Sequence, residues 1–284
     1  MLVCCLGDIM LDVTVDSPTG LVADDDTPAR ISLAAGGQAA NVAGWVCALG
    51  GRARIFGPRS TTDSGRLVED ALTRQGVEMH GPTTATTGTV LSLMTGGSRS
   101  LASDAGSSDW LGEVAGGAWL DGADWLFVSG YALLRSPEPN LIIEVAAAAR
   151  AAGTRVAVDL ASASMIEAYG AAEFRRLWRD LRPSAIFAGD SEWEATNAGG
   201  TSSTDASFGA GGTSVLVLKH GAEGSTFVID GIGDLRPPKP GPVVDVTGAG
   251  DALAAGYVVG GVDLAMEAAA RCVAAVGAQP RAST

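Results

Sequence analysis

The feature that most constrains this chain is a series of short, almost wholly apolar runs: Leu2–Leu6, Trp125–Ser129, 185–188 and 215–218. Runs of about 4–8 such residues between polar or glycine-rich turns form strands, and a strand with no alternating polar positions is covered on both faces. Helical patterns lie between them. After the first strand the spacing predicts a helix over 38–49, a strand over 54–56 and a helix over 64–75 that stops at Gly76. The rhythm resumes with a helix over 139–152 closed by Gly153, a strand over 155–160 and a helix near 167–180. A hairpin around 224–230 and two helices, 249–259 and 264–276, complete the chain. Strands alternating with helices in this way predict an α/β fold with a doubly wound, mostly parallel sheet flanked by helices.

Two segments, about 13–35 and 86–108, break the rhythm. They are rich in Thr, Ser, Gly and Asp, with only short alternating runs such as 90–94. Strand pieces from the two can pair outside the main sheet as a small β-sheet lid over a ligand. We find no internal repeat, and the runs beginning at Gly199 and Gly209 are loop material. The expectation is a single domain over 1–284 that carries the lid.

Composition excludes several classes. With 46% hydrophobic and 18% charged residues among 284, the chain can bury a sizeable core and is neither disordered nor collagen-like. Nineteen Lys and Arg against 32 Asp and Glu leave a net charge of −13, which repels polyanions, so no nucleic-acid partner is expected. The longest uncharged stretch, 31–51, contains Gln38, Asn41 and five glycines and cannot span a membrane; no membrane partner is expected. The first residues lack a basic region, and a cytoplasmic location follows as an expectation. Cys4, Cys5, Cys47 and Cys272 include no Cys-x-x-Cys pair and are expected as reduced core thiols.

Only Lys219 and Lys239 are lysines, and neither follows a glycine and precedes Ser or Thr, so the chain has no P-loop. With only His80 and His220, a His-rich metal site is excluded, and no nucleophile-elbow motif supports a Ser-His-Asp triad. No Gly-x-Gly-x-x-Gly occurs, which argues against a dehydrogenase.

Three motifs remain. In the run from Val243 to Asp251, Gly248-Ala249-Gly250 leads into a small-residue helix. A glycine-flanked helix start offers free N–H groups and roughly half a positive charge to an anion. Asp251 in its first turn either deprotonates an attacking hydroxyl or is a helix cap. In the second motif, Gly36-Gly37 precede a helix bearing Asn41, whose amide suits a sugar hydroxyl or a neighbouring loop. The third follows the first strand, at the edge where open α/β sheets bind ligands. There Asp12 can grip two hydroxyls, while Asp8 is read as a turn cap.

Together these residues resemble the ribokinase family of ATP-dependent small-molecule kinases, also called the phosphofructokinase B family, over nearly the whole chain. Gly36-Gly37 with Asn41 and Leu49-Gly50 is similar to the amino-terminal family signature. Asp245-x-Thr247-Gly248-Ala249-Gly250-Asp251 with Ala255-Gly256 is similar to the carboxy-terminal one. The resemblance implies a ribokinase-like fold whose lid can serve as a homodimer clasp. It implies Asp251 as catalytic base, the amides of Gly248, Ala249 and Gly250 as anion hole, and Asp12, Gly36, Gly37, Asn41 and Arg99 around the acceptor. Lys219, Gly221 and Gly224 would lie beside the ATP, Glu192 would meet Mg²⁺ through water, and Asp245 would border a potassium site. Lys219 and Arg99 also read simply as solvated surface residues.

The sequence departs from the family in one motif. Where relatives carry Asn-x-x-Glu, this chain has Gly189-Asp190-Ser191-Glu192, so Glu192, helped by Asp190, is left as the magnesium candidate. Near the end, in Gly277-Ala278-Gln279-Pro280, the polar residue often found before this segment in relatives has no match, which leaves nucleotide preference open. The expected activity is ATP-dependent phosphorylation of a hydroxymethyl group on a small sugar or sugar-like compound. The alternatives are a nucleoside kinase, including pseudouridine-type acceptors, and a catalytically weak sugar- or nucleotide-binding protein. Only Trp110 stands near the lid to favour a nucleobase, and only Arg59 and Arg99 could meet around a sugar phosphate.

Overall fold

A computed structural model describes residues 1–96, 98–107, 110–114, 118–196 and 214–281. The glycine- and serine-rich runs from Gly199 and Gly209 lie outside the described residues. In chain order the strands are β1 (Leu2–Leu6), β2 (Met10–Asp16), β3 (Arg30–Gly36), β4 (Arg52–Phe56), β5 (Arg59–Ser60), β6 (Glu78–His80), β7 (Thr83–Thr84), β8 (Gly88–Thr95), β9 (Ser98–Asp104), β10 (Trp125–Ser129), β11 (Arg155–Asp159), β12 (Ala185–Gly189), β13 (Val215–Lys219), β14 (Ser225–Ile229) and β15 (Ile232–Arg236).

Nine of these form the main sheet, in the order β15-β14-β13-β12-β11-β10-β1-β4-β6. From β13 to β6 every neighbouring pair is parallel, and β14 and β15 add an antiparallel hairpin at one edge. The apolar runs are explained by two cores, one on each face. Because successive side chains point to opposite faces, Cys5 packs with Phe127, Phe187 and Val217 beneath helices Gln38–Ala48 and Ala249–Gly260. Cys4 packs on the other face with Leu126, Val158 and Ile186, against helices Pro139–Ala151 and Ala171–Asp180. All four cysteines are free thiols.

The helix expected near 167–180 is two helices, Ala163–Tyr169 and Ala171–Asp180. Gly170, at φ 103° and ψ 109°, ends one and starts the next; glycine adopts this backbone without Cβ strain, and the break turns Phe174, Leu177 and Trp178 into the core. Trp110, expected at the lid edge, instead lies buried in the main core with its ring 6.2 Å from Phe56. Among the described residues no helix is long and apolar enough to cross a membrane.

The parallel strands deliver polar residues to one edge of the sheet. Asp8 follows β1, Asp159 ends β11, Glu192 lies just beyond β12 and Lys219 ends β13. Strands from 10–36 and 88–104 form a second sheet, β3-β2-β8-β9, facing that edge. Its register sets Asp12, Ala34, Val90 and Ser103 in one row, with Arg99 farther along the same face.

Helices Ala249–Gly260 and Val262–Val273 pack back to back at Gly256, where a Cβ would lie 2.5 Å from the Leu264 carbonyl oxygen and 2.6 Å from Ala265 Cα. Alanine in an exposed helix interior stabilises by about 1 kcal/mol over glycine. Here the clash reverses the sign, and Gly256→Ala is expected to lose about 1–3 kcal/mol in chemical denaturation.

Candidate active site

A cleft of about 1370 Å³ separates the strand edge from the second sheet. Asp12, Asn41, Arg99, Glu192, Lys219 and Asp251 line it, so residues far apart in sequence share one space.

Gly248 precedes helix Ala249–Gly260 at φ 76°, and a Cβ there would lie 2.5 Å from Ala278 Cα. The position therefore demands glycine on both conformational and steric grounds. The first amides of a helix have no intrahelical partner, though the Ala249 N–H makes a long 3.3 Å bond to the Val246 carbonyl. Asp251, one turn in, accepts a 2.7 Å hydrogen bond from Asn41 Nδ2. Gln279 Nε2 in turn donates to Asn41 Oδ1 at 2.8 Å. Asn41 is 6% exposed, and both ends of its amide are engaged, so it orients Asp251 as well as facing the cleft. Burial and the Asp159 charge push Asp251 up to about 7, against the Asn41 hydrogen bond and Lys219, which favour the ionised form.

The paired glycines serve the two aspartates. A Cβ on Gly36 would fall 2.1 Å from the Asp12 carboxylate, and one on Gly37 would fall 2.4 Å from the Asp8 carbonyl oxygen. Asp12 thus lies flat over the backbone, and burial lifts it to about 7 although Arg99 opposes the rise. Asp8 is not a simple turn cap. Its buried carboxylate accepts a 2.9 Å ion-pair bond from Arg135, and burial raises its pKa despite that partner. Arg135 also reaches Ser103 on β9 at 3.4 Å and lies over the Tyr131 ring. Arg135 and Tyr131, on the short helix Gly130–Arg135, were not foreseen; the only signal was their place just after β10, at the ligand-binding edge. Arg59 does not join Arg99 but bonds Glu69, and it is Arg135 that shares the cleft with Arg99.

On the opposite side, the Lys219 ammonium donates to both carboxylate oxygens of Asp159, at 2.8 and 3.0 Å, and stands 3.9 Å from Glu192. Burial works against its charge, but Asp159 and Glu192 outweigh burial and hold its pKa above the ordinary lysine value. Glu192 accepts 2.7 Å from the Gly189 N–H; burial and Asp159 raise its pKa against Lys219 and that bond. Asp190, the neighbour in sequence, has a partner of its own. It pairs with His220 Nδ1 at 2.7 Å, while His220 Nε2 meets Thr226 at 2.8 Å. Gly221 is open to the cleft, whereas a Cβ on Gly224 would lie 2.1 Å from the Arg236 carbonyl oxygen.

Asp245 braces the loop before Gly248. It accepts from Thr247 N at 2.9 Å, Thr247 Oγ1 at 2.6 Å and Gly277 N at 2.8 Å. Burial raises its pKa, but these bonds prevail and hold it below the usual carboxylate value. Arg99 donates 2.6 Å to Thr247 Oγ1, which links the second sheet to this loop.

A parallel α/β sheet whose ligand edge faces a second small sheet, with a helix start and an aspartate in the cleft, defines a ribokinase-like fold. The match to the pfkB carbohydrate kinase family extends over residues 1–282, and the chain belongs to that family. It is similar in structure to a probable sugar kinase from Rhizobium etli, with a TM-score of 0.85 and 20% identity over 99% of this chain and 95% of that one. For an adenosine kinase from Sinorhizobium meliloti the values are 0.83, 23%, 99% and 96%. For an E. coli protein described as ribokinase II, solved with ATP and Mg²⁺, they are 0.82, 18%, 97% and 94%. No curated protein matches in sequence.

The raised Asp251 pKa carries a stability consequence. The unfolded chain ionises this group near about 3.9, so the native state binds its proton more tightly and loses stability as pH rises toward about 7. Asp251→Asn mimics the neutral form. Near pH 4 the variant and wild type are expected to unfold at similar denaturant concentrations. At pH 8 the variant is expected to be more stable by on the order of 2 kcal/mol, about half the full linkage because cleft water screens the charge.

Proposed function

We propose that the enzyme transfers the γ-phosphoryl group of ATP to a hydroxymethyl group of a small sugar or sugar-like acceptor, with Asp251 as base. The observation that carries this reading is Asp251 itself, held by Asn41 in the first turn of a helix whose start, Gly248-Ala249-Gly250, lines the same cleft as Asp12. In the reaction the acceptor oxygen attacks the γ-phosphorus, its proton passes to Asp251, and the bond to the ADP oxygen breaks. The amides of Gly248, Ala249 and Gly250 would stabilise charge on the transferring group. Asp12 would accept hydrogen bonds from acceptor hydroxyls, with Gly36, Gly37, Asn41 and Arg99 around it. Gly221 and Gly224 would flank the nucleotide beside Lys219.

Among the described residues no group of three His, Cys, Asp or Glu could hold a metal ion. Magnesium would be carried by ATP, with Glu192 as the carboxylate turned toward it through water; bound there, it would neutralise phosphate charge. Asp245 stays anionic and borders the anion-hole loop, which suits a potassium ion acting on loop order. Since protein donors already tie that loop, replacing K⁺ by tetramethylammonium is expected to lower kcat by no more than a few-fold, on the order of one hydrogen bond.

A nucleoside acceptor is the second reading, favoured by Tyr131, whose ring lines the cleft. The second sheet's face away from Asp12 exposes Ile31, Leu33 and Leu91, and a homodimer would form there. Leu33→Asp is expected to convert dimer to monomer in analytical ultracentrifugation.

A coupled ADP-release screen with Mg-ATP and potassium across pentoses, hexoses, keto-deoxy acids and nucleosides tests the activity. One acceptor is expected to turn over, with kcat falling on the order of 10²–10⁴-fold in Asp251→Asn. Asp12→Asn is expected to raise the acceptor KM by about 10–100-fold, the worth of a hydrogen bond to a charged group. Nucleotide binding with no turnover of any acceptor would favour a binding protein.

A further inference from the structure

The pair formed by Lys219 and Asp159 has a place in the cleft that an ordinary strand-end lysine does not need. Asp159 is 1% exposed at the end of β11. Lys219 ends β13, two strands away, and its side chain crosses the end of β12 to reach both Asp159 oxygens. A Cβ on Gly250 would lie only 3.2 Å from the ammonium, so Lys219 rests against the turn that carries Asp251, with no side chain between them. Glu192 completes the surroundings at 3.9 Å.

We propose that Lys219 supplies the fixed positive charge that meets the transferring phosphoryl group, and that Asp159 is the positioning residue that aims it there. This rests on the kinase reading above. A buried ion pair contributes little to stability compared with apolar residues of the same volume. Here the pair borders the space where phosphate charge must be met, beside an anion hole otherwise made of backbone amides. Glycine at 189 contributes no side chain on that side, although a Cβ there would make only ordinary contact with Glu192, at 3.4 Å. The ammonium therefore provides a charge-bearing donor where no side chain projects from residue 189. In the step itself the acceptor oxygen bonds to the γ-phosphorus, the bond to the ADP oxygen breaks with its electron pair leaving on ADP, and the acceptor proton goes to Asp251. Lys219 keeps its protons throughout and pairs with the equatorial oxygens of the group in flight.

The test compares wild type with Lys219→Met, Asp159→Asn and the double variant Asp159→Leu/Lys219→Met. Calorimetry measures Mg-ADP and Mg-AMPPNP binding, steady-state assays give kcat with the acceptor found by screening, and thermal melts report folding. Lys219→Met is expected to lower kcat on the order of 10²-fold or more. It is expected to weaken AMPPNP by about tenfold while ADP, which lacks the transferring group, changes no more than about twofold. Asp159→Asn is expected to lower kcat by about tenfold without changing ADP affinity. The double variant removes both charges and is expected to melt near wild type while its kcat stays low.

Equal loss of AMPPNP and ADP affinity in Lys219→Met, or recovery of turnover in the double variant, would reduce the pair to a structural ion pair and overturn the proposal. If wild type turns over no acceptor but still binds both nucleotides, the kinase reading fails by itself. The AMPPNP-to-ADP difference then still decides the role of Lys219. Wild type that binds neither nucleotide would remove both readings.

Discussion

The cleft is organised around a carboxylate kept among other carboxylates. Burial does most to disfavour the Asp251 charge, and the nearby Asp159 and, to a lesser degree, Asp12 carboxylates disfavour it further. Two groups oppose this, the Asn41 amide and the Lys219 ammonium, and each depends on a partner elsewhere in the chain. Asn41 is held by Gln279 near the carboxyl end, and Lys219 by Asp159 at a strand end. A group balanced in this way near neutrality suits proton transfer, since neither of its protonation states is strongly favoured.

The same balance explains why the two ends of the chain are fastened together. Trp45, one turn beyond Asn41, donates 2.8 Å to the Ala278 carbonyl, and Gly248 packs directly on Ala278. Gly277 closes on Asp245, and the Cys272 thiol donates to the Thr247 carbonyl at 3.3 Å. Residues 277–279 thus support both the helix that carries Asn41 and the loop that leads to Asp251. Arg99 extends the support to the second sheet through Thr247. A shift in this segment would reach Asn41 and Asp251 together.

Much of this was legible in the sequence, though unevenly. The glycine pairs and the Asp251 motif were readable because each combines a backbone demand with a polar residue a few positions away. The structure gives the reason for the glycines, since a Cβ at 36 or 37 would enter the space of Asp12 or Asp8. Asp159 was not readable: in sequence it is one aspartate at the end of an apolar run, and its meaning comes from a lysine two strands away. Arg135 was missed likewise, because its partners come from distant segments, Asp8 from the loop after β1 and Ser103 from β9. The partner of Asp190 was not readable either, since His220 lies thirty residues away and reaches it only through the pairing of neighbouring strands.

By itself the sequence determined the alternation of strands and helices, the burial of the parallel sheet on both faces, and the glycine-bounded helix start with its aspartate. These follow from local periodicity and local backbone demands, which a linear chain displays directly. Only the tertiary structure decided which charges meet: Asp8 with Arg135, Asp159 with Lys219, and Asn41 between Asp251 and Gln279. Electrostatic pairing depends on distances of a few ångströms across neighbouring strands and between the chain's two ends, and sheet order and packing set those distances.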